Sequence, residues 1–215
     1  MAISGPEPLT ATHGLAEFSC GQPSLDRWLK TRALSNQEKG FTAVLVVHES
    51  NRVVGYYGLA PTAIVPATMP RSIRTGQPPD PVPCLLLGQL ATDQNWTGKG
   101  IGLGLLKHAL QRCVTAAYLI GGRALIVNAV DIEAAAFWRR RGFIPSKDDP
   151  LILFRSIADI AASLRKTKQP IKGKTRSHSR TNRARHARAQ DQPQAAISKP
   201  KPSSPRYFRS CSIRR

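Results

Sequence analysis

The chain has 215 residues and a formal net charge of +19, long enough for one well-packed domain with residues to spare. No apolar run reaches membrane-spanning length, and the start, MAISGPEPLT, lacks a basic flank followed by an apolar core. The four cysteines (Cys20, Cys84, Cys113, Cys211) form no C-x-x-C pair, which argues against a zinc site or a disulfide framework and for a cytosolic protein without a metal. Charge is spread unevenly. Residues 1–164 carry 16 Lys+Arg against 12 Asp+Glu, whereas 165–215 carry the other 16 against Asp191 alone. The chain therefore divides into a mildly basic body, 1–164, and a basic tail, 165–215, too poor in periodic apolar residues to bury a core.

Taken in order, Leu25, Trp28, Leu29 and Ala33 recur at helical spacing through about Asn36, with Ser24 as the expected N-cap and Trp28 as core. Two strands follow, Thr42–His48 and Val53–Ala63, joined by a hairpin turn at Glu49-Ser50-Asn51-Arg52. From Pro66 to Pro83, proline and polar residues predict a long loop, whose Arg71 and Arg74 either line an RNA path or are merely solvated. An apolar run with strand character begins at Cys84 (Leu85, Leu86, Leu87, Leu90) and passes through Asp93-Gln94-Asn95 into alternating glycines at 98, 100, 102 and 104. From Ile101 the period changes to that of a helix, with Leu105, Leu106, Ala109, Leu110 and Cys113 on one face, and Cys113 reads as a small core residue.

Beyond that helix, Ala124–Ala129 reads as a buried strand. A helix from Ile132 to Arg141 presents Ala135, Phe137 and Trp138 as its apolar face. Arg139-Arg140-Arg141 suit either the negative end of the helix dipole or a phosphate backbone. Gly142-Phe143 turns the chain, Leu151–Phe154 is the last strand, and Ile157–Leu164 adds a helical turn or two.

The glycine turn between strand and helix carries the chemistry. Glycines let backbone approach a ligand closely, and the first N–H groups of a helix lack intrahelical acceptors, so the arrangement suits phosphate oxygens. A P-loop would need Lys then Ser or Thr after its last glycine, and Leu103 stands after Gly102. A dinucleotide fingerprint needs G-x-G-x-x-G, whereas the spacing here is G-x-G-x-G-x-G.

Thr97-Gly98-Lys99-Gly100-Ile101-Gly102 resembles motif A (R/Q-x-x-G-x-G/A) of the GNAT N-acetyltransferase superfamily, with Thr97 where Arg or Gln is usual. Four more blocks resemble one subgroup, the aminoacyl-tRNA-acetylating toxins of bacterial toxin–antitoxin modules. They are Phe18–Leu29 (FSCGQPSLDRWL), Arg52–Ala60 (RVVGYYGLA), Leu87–Asp93 (LGQLATD) and Ala134–Phe143 (AAAFWRRRGF), the last followed by Pro145-Ser146. The likeness is collinear from about Phe18 to Phe154, and the tail departs from it. That tail is either a basic arm with non-specific RNA affinity or an incidental extension.

The resemblance implies an α/β (α+β) GNAT fold in residues 1–164. Its expected sheet is mixed, mostly antiparallel, of six to seven strands, flanked by helices and splayed at the acetyl-CoA site. It implies acetyl-CoA as cosubstrate and transfer of its acetyl group to the α-amine of aminoacyl-tRNA, stopping translation. The cofactor would lie against Leu90, Ala91 and Thr92, with its diphosphate on Thr97, Gly98, Lys99, Gly100, Ile101 and Gly102. Phe137 and Asn128 would add contacts, Asn128 through a water or the cofactor amide. Leu90 would supply an N–H near the thioester oxygen. Trp138 stands where the family carries the Tyr that protonates the departing sulfur, and an indole N–H is no practical acid. A slow enzyme or a non-catalytic CoA- and RNA-binding relative is therefore one alternative. An acetyltransferase for a protein N-terminus or small amine is another. Tyr56 and Tyr57 are the replacement acids in sequence, if either reaches the site. Cys20 as a nucleophile lacks a recognisable His partner. The implied partners are aminoacyl-tRNA and a ribbon-helix-helix antitoxin, with a homodimer left open.

Overall fold

The computed structural model describes residues 2–168, so from residue 169 onward the expected basic tail lies outside the described residues. Seven strands form one sheet: β1 (Ile3–Pro8), β2 (Ala43–Glu49), β3 (Arg52–Ile64), β4 (Val82–Thr92), β5 (Ala124–Asn128), β6 (Ile144–Pro145) and β7 (Ile152–Ser156). Their spatial order is β1-β2-β3-β4-β5-β7-β6, antiparallel throughout except for the parallel pair β4·β5. Five helices accompany them: α1 (Pro23–Thr31), α2 (Ala33–Glu38), α3 (Ile101–Ile120), α4 (Ile132–Arg139) and α5 (Ile157–Lys168). Among the described residues no helix is long and apolar enough to cross a membrane.

One face of the sheet carries α3, α4 and α5. Leu105, Leu106, Ala109, Leu110 and Cys113 of α3, the stripe read from the sequence, are all buried there against Leu45, Val47, Val54, Tyr57, Leu85 and Leu87. The helix comes close because Gly55 of β3 has no side chain. A Cβ at that position would stand 2.8 Å from Leu105 Cδ1 and 3.1 Å from Ile101 Cγ2. On the opposite face α1 and α2 cover one half of the sheet. There Leu29, Ala33 and Phe18 pack on Val44, Val46, Val53 and Tyr56, and Trp28 stacks on Tyr56 at 5.9 Å, as expected of a core residue.

The hairpin turn is as expected. Ser50 and Asn51 both have positive φ, the type I′ geometry that matches strand twist, and Glu49 pairs with Arg52 across it. Four other features differ from the sequence reading or go beyond it. The N-cap of α1 is Gln22 rather than Ser24, because Pro23 occupies the first helical position, where its fixed φ suits a helix start. The stripe to Asn36 is two helices broken at Arg32. The 66–83 segment is more than a solvated loop. It opens with a 3₁₀ turn at Pro66–Thr68, and its buried Met69 and Ile73 join Val82, Cys84, Ile126 and Phe154 in a small core over the other half of the second face. Finally, the residues at the start form an edge strand, β1, although Gly5, Pro6 and Pro8 give it no strand pattern.

The feature that positions the site is in β4. Its pairing with β3 shifts by one residue between Gly58 and Leu59, which leaves Gly88 as the extra residue of a bulge. Before the bulge Leu85 and Leu87 face α3. After it, the parity change turns Leu90 and Thr92 to that side, while Ala91 joins the core under α1. β4 pairs with β5 only over Leu85–Leu87, opposite Leu125–Val127. From Gly88 on, the two strands part. This is the splay expected of the sheet.

A methyl group at the close approach of α3 to β3 is expected to overpack it. Gly55→Ala should lower stability by about 1–3 kcal/mol, read as a drop in thermal melting temperature, whereas Gly104→Ala on the exposed side of α3, where a Cβ meets nothing within 4 Å, should leave it unchanged or raise it.

Candidate active site

A cleft of about 590 Å³ occupies the gap left by the parted strands. It is lined by β4 (Leu90, Ala91, Thr92), the glycine turn with the first turn of α3 (Thr97, Gly98, Gly100, Ile101, Gly102), and α4 (Phe137, Trp138). These are ten of the residues singled out from the sequence, brought together from three separate stretches. Lys99 and Asn128 are not among the lining residues. Lys99 instead sets its ammonium 4.1 Å over the ring of Trp96, at the turn. Asn128 is exposed at the end of β5, where it pairs with Ile152.

The backbone of β4 faces this gap. Asp93 N–H donates to Val54 O at 2.9 Å, so alternation along the strand aims the N–H and C=O groups of Leu90 and Thr92 the other way, toward the opening. At the turn, Gly98 and Gly100 have φ near +80°, a conformation that costs an L residue about 1–2 kcal/mol. Gly100 is the N-cap of α3, and the free N–H groups of the first turn follow it. Gly102 serves a different purpose: a Cβ there would stand 3.1 Å from Thr92 Oγ1, so its absence lets the helix start sit against β4.

Asp93 fixes this arrangement. Its buried carboxylate accepts from Ser19 N at 3.0 Å and from Asn95 N at 3.0 Å, and Gln94 N donates to Ser19 O at 2.8 Å. The Phe18–Gly21 block is thereby tied to the start of the glycine turn. Asp93 is not among the residues that line the cleft, and the bonds its carboxylate makes are structural.

On α4, Asp131 caps the helix by accepting from Ala134 N at 2.7 Å. Trp138 is buried edge-on between Phe137 and Phe143, with ring centroids 5.1 and 5.2 Å away. Neither tyrosine proposed as a replacement acid reaches the cleft. Tyr56 donates to Leu25 O at 2.8 Å, and Tyr57 hydrogen-bonds His108 Nδ1 at 2.8 Å within the core. Burial pushes both phenols above the ordinary tyrosine range. The same cause, followed by a hydrogen bond to Asp26, pushes the Cys20 thiol up to about 11. It is a poor nucleophile.

Five lining residues had not been singled out as site residues: Trp96, Leu103, Glu133, Ala134 and Arg141. Arg141 turns back over α4. Its guanidinium lies 3.4 Å over the Phe137 ring and donates to Phe137 O at 3.0 Å, and burial, then Arg140, draw its pKa below the usual value. The sequence showed only a run of three arginines; the one at the spacing of the Phe137 and Trp138 face was the signal.

Away from the cleft, Glu7, His13 and His48 converge, with ligand-type atoms within 4.8 Å of one another. Both Nδ1 atoms accept backbone N–H groups, from Thr10 and Asn51. The neutral rings therefore carry their proton on Nε2, aimed at Glu7 Oε1 at 3.3 and 3.2 Å. A cation on Nε2 would need that proton on Nδ1, against an N–H. The cluster is a brace between β1 and β2.

Comparison with known proteins agrees with this geometry. The acetyltransferase (GNAT) domain family matches residues 40–145. A tRNA-acetylating toxin of Mycobacterium tuberculosis is 41% identical over 159 residues, 74% of this chain and 95% of the toxin. The chain belongs to the GNAT acetyltransferases. Among solved structures, AtaT complexed with acetyl-methionyl-tRNAfMet superposes with a TM-score of 0.68 at 27% identity, over 76% of this chain and 98% of that one. An AtaT variant bound to the C-terminus of the antitoxin AtaR and acetyl-CoA gives 0.64 at 26% identity, over 76% and 97%. This GNAT chain thus shares nearly the whole length of these toxins.

Two outcomes are expected. Asp93→Ala removes the buried carboxylate that accepts two backbone N–H bonds and should cost about 1–3 kcal/mol, measured by denaturant unfolding. Alkylation at Cys20, mapped by mass spectrometry, should accelerate about tenfold per pH unit without a plateau up to about pH 9.5, since a thiol raised to about 11 is still protonated there.

Proposed function

We propose that this GNAT chain transfers the acetyl group of acetyl-CoA to the α-amino group of aminoacyl-tRNA, and so stops translation in the cytoplasm. The observation that carries the reading is the 41% identity to a tRNA-acetylating toxin across 95% of that toxin's length. A cleft of matching chemistry supports it. The amides at Gly98–Gly102 suit the diphosphate, and the free edge of β4 at Leu90 and Thr92 suits the pantetheine amides as an added strand. Phe137 and Trp138 supply apolar wall. Asn128 and Lys99 contribute at the rim at most, since neither lines the cleft.

The residues supply positioning and one dipole. An α-amine has a pKa of about 7.7–8.0, and an aminoacyl ester lies lower, so a neutral fraction exists near pH 7 without a dedicated base. Asp93, spent on Ser19 and Asn95, is consistent with that. The amine nitrogen attacks the thioester carbonyl, its N–C bond forms, its surplus proton passes to solvent, and the C–S bond breaks to release CoA thiolate. The N–H of Leu90, aimed into the opening, is the donor for the oxyanion, the kind of preorganised dipole that contributes most to acyl transfer. The proton for the thiolate comes from solvent. Trp138 cannot give one, and Tyr56 and Tyr57 are locked away in the core.

A cognate antitoxin covering the active face is the partner this reading carries, supported by the neighbour bound to AtaR. Trp138 favours a second reading, a CoA- and RNA-binding relative with little catalysis. One variant separates them. Trp138→Tyr should raise the rate of aminoacyl-tRNA acetylation from labelled acetyl-CoA by about 10²-fold, the low end of what a positioned acid contributes, with polyamines remaining poor acceptors. A rate equal to the parent's would remove the missing-acid explanation.

A further inference from the structure

Acetyl-CoA carries charge in two places, a diphosphate and a ribose 3′-phosphate. The glycine turn has a use for the first only, and Thr97 withholds the side-chain cation that motif A usually adds there. The cleft nevertheless contains an unclaimed cation. Arg141 lines it, and among the described residues no carboxylate lies within ion-pair distance of its guanidinium.

The position is built rather than incidental. Arg141 lies in the turn just past the end of α4, where its N–H donates to Trp138 O at 2.9 Å, and its side chain folds back over Phe137. The guanidinium plane rests 3.4 Å above the ring, and one nitrogen is fixed on Phe137 O at 3.0 Å. Stacking of this kind holds an arginine without neutralising it and leaves the remaining N–H donors in a rigid fork, the geometry that fits a phosphate. Burial draws the Arg141 pKa down, as expected of a charge partly removed from water with no counterion supplied by the protein. By contrast Arg139 and Arg140 are exposed and point to no cleft wall.

We propose that Arg141, mounted on Phe137, is the residue that holds the 3′-phosphate of acetyl-CoA and makes this enzyme discriminate CoA from its 3′-dephospho form. The assignment rests on the acetyl-CoA reading above. RNA is the less favoured anion, because Arg141 shares its cavity with the glycine turn and Trp138 rather than standing on open surface.

The test is a two-by-two comparison in the full-length protein: wild type and Arg141→Gln, each titrated calorimetrically with CoA and with 3′-dephospho-CoA. One charge-assisted contact corresponds to about tenfold or more in affinity. Wild type should prefer CoA by about that factor. Arg141→Gln should bind CoA about tenfold more weakly, bind 3′-dephospho-CoA as wild type does, and lose the preference, while Arg141→Lys keeps part of it. An unchanged preference in Arg141→Gln overturns the assignment. So does an equal weakening toward both ligands, which would mark Arg141 as a support for Phe137, or a change confined to the KM for aminoacyl-tRNA. Wild type taking up neither ligand would overturn the acetyl-CoA reading itself, a different result from CoA binding without discrimination.

Discussion

The cleft depends on one buried carboxylate. Asp93 stands where β4 ends, and three pieces of chain meet on it: the N-terminal block through Ser19, the glycine turn through Asn95, and β3 through the Asp93 amide on Val54. A free strand end would fray, since β4 has already lost β5 as a neighbour at Gly88. Fixing that end lets an unpaired stretch of sheet edge persist within a folded domain, where unsatisfied N–H and C=O groups would otherwise seek partners. The bulge at Gly88 and the anchor at Asp93 bracket the segment that faces the opening. Remove either and Leu90 and Thr92 lose their direction.

Much of this was legible in the sequence, and the parts that were not have identifiable causes. Periodicity located α3, because five apolar residues at helical spacing admit one face. Glycine spacing located the turn, because Gly98 and Gly100 adopt backbone angles that other residues resist. Both are local signals. The edge strand β1 was not legible, since Gly5, Pro6 and Pro8 erase any alternation and its stability comes from β2 and the Glu7–His13–His48 brace. The burial of Met69 and Ile73 was hidden for the same reason: proline-rich composition suggests a solvated loop, and only the sheet beneath it explains two buried apolar residues. In sequence Asp93 was the start of a polar turn, and its role required knowing that Ser19, 74 positions away, meets it.

The site shows a similar division between what short-range pattern reveals and what it does not. Ten expected residues line one cleft because motif and secondary structure fix them together. Arg141 escaped because three consecutive arginines look alike in sequence. In the fold they take different places: Arg139 ends α4, Arg140 is its C-cap, and Arg141 lies in the turn beyond, its side chain folded back over Phe137. The run is therefore one side chain at the cleft with two solvated neighbours, a distinction that needs the fold and not merely the composition.

The departures from the family pattern then share a property. Within the body, Thr97 and Trp138 both change side chains, whereas the positive-φ glycines, the freed edge of β4 and the first amides of α3 are backbone features. Acyl transfer to an amine that is already partly neutral asks for a held thioester and an aligned dipole, both of which backbone can supply. Side chains adjust the rate of thiol departure and the grip on the far end of the cofactor. On the proposed mechanism a GNAT chain can lose its positioned acid and still be a transferase, provided the anchored strand end keeps the Leu90 amide turned toward the opening. The order of dependence runs from Asp93 to β4 to that amide, and Trp138 sits downstream of all three.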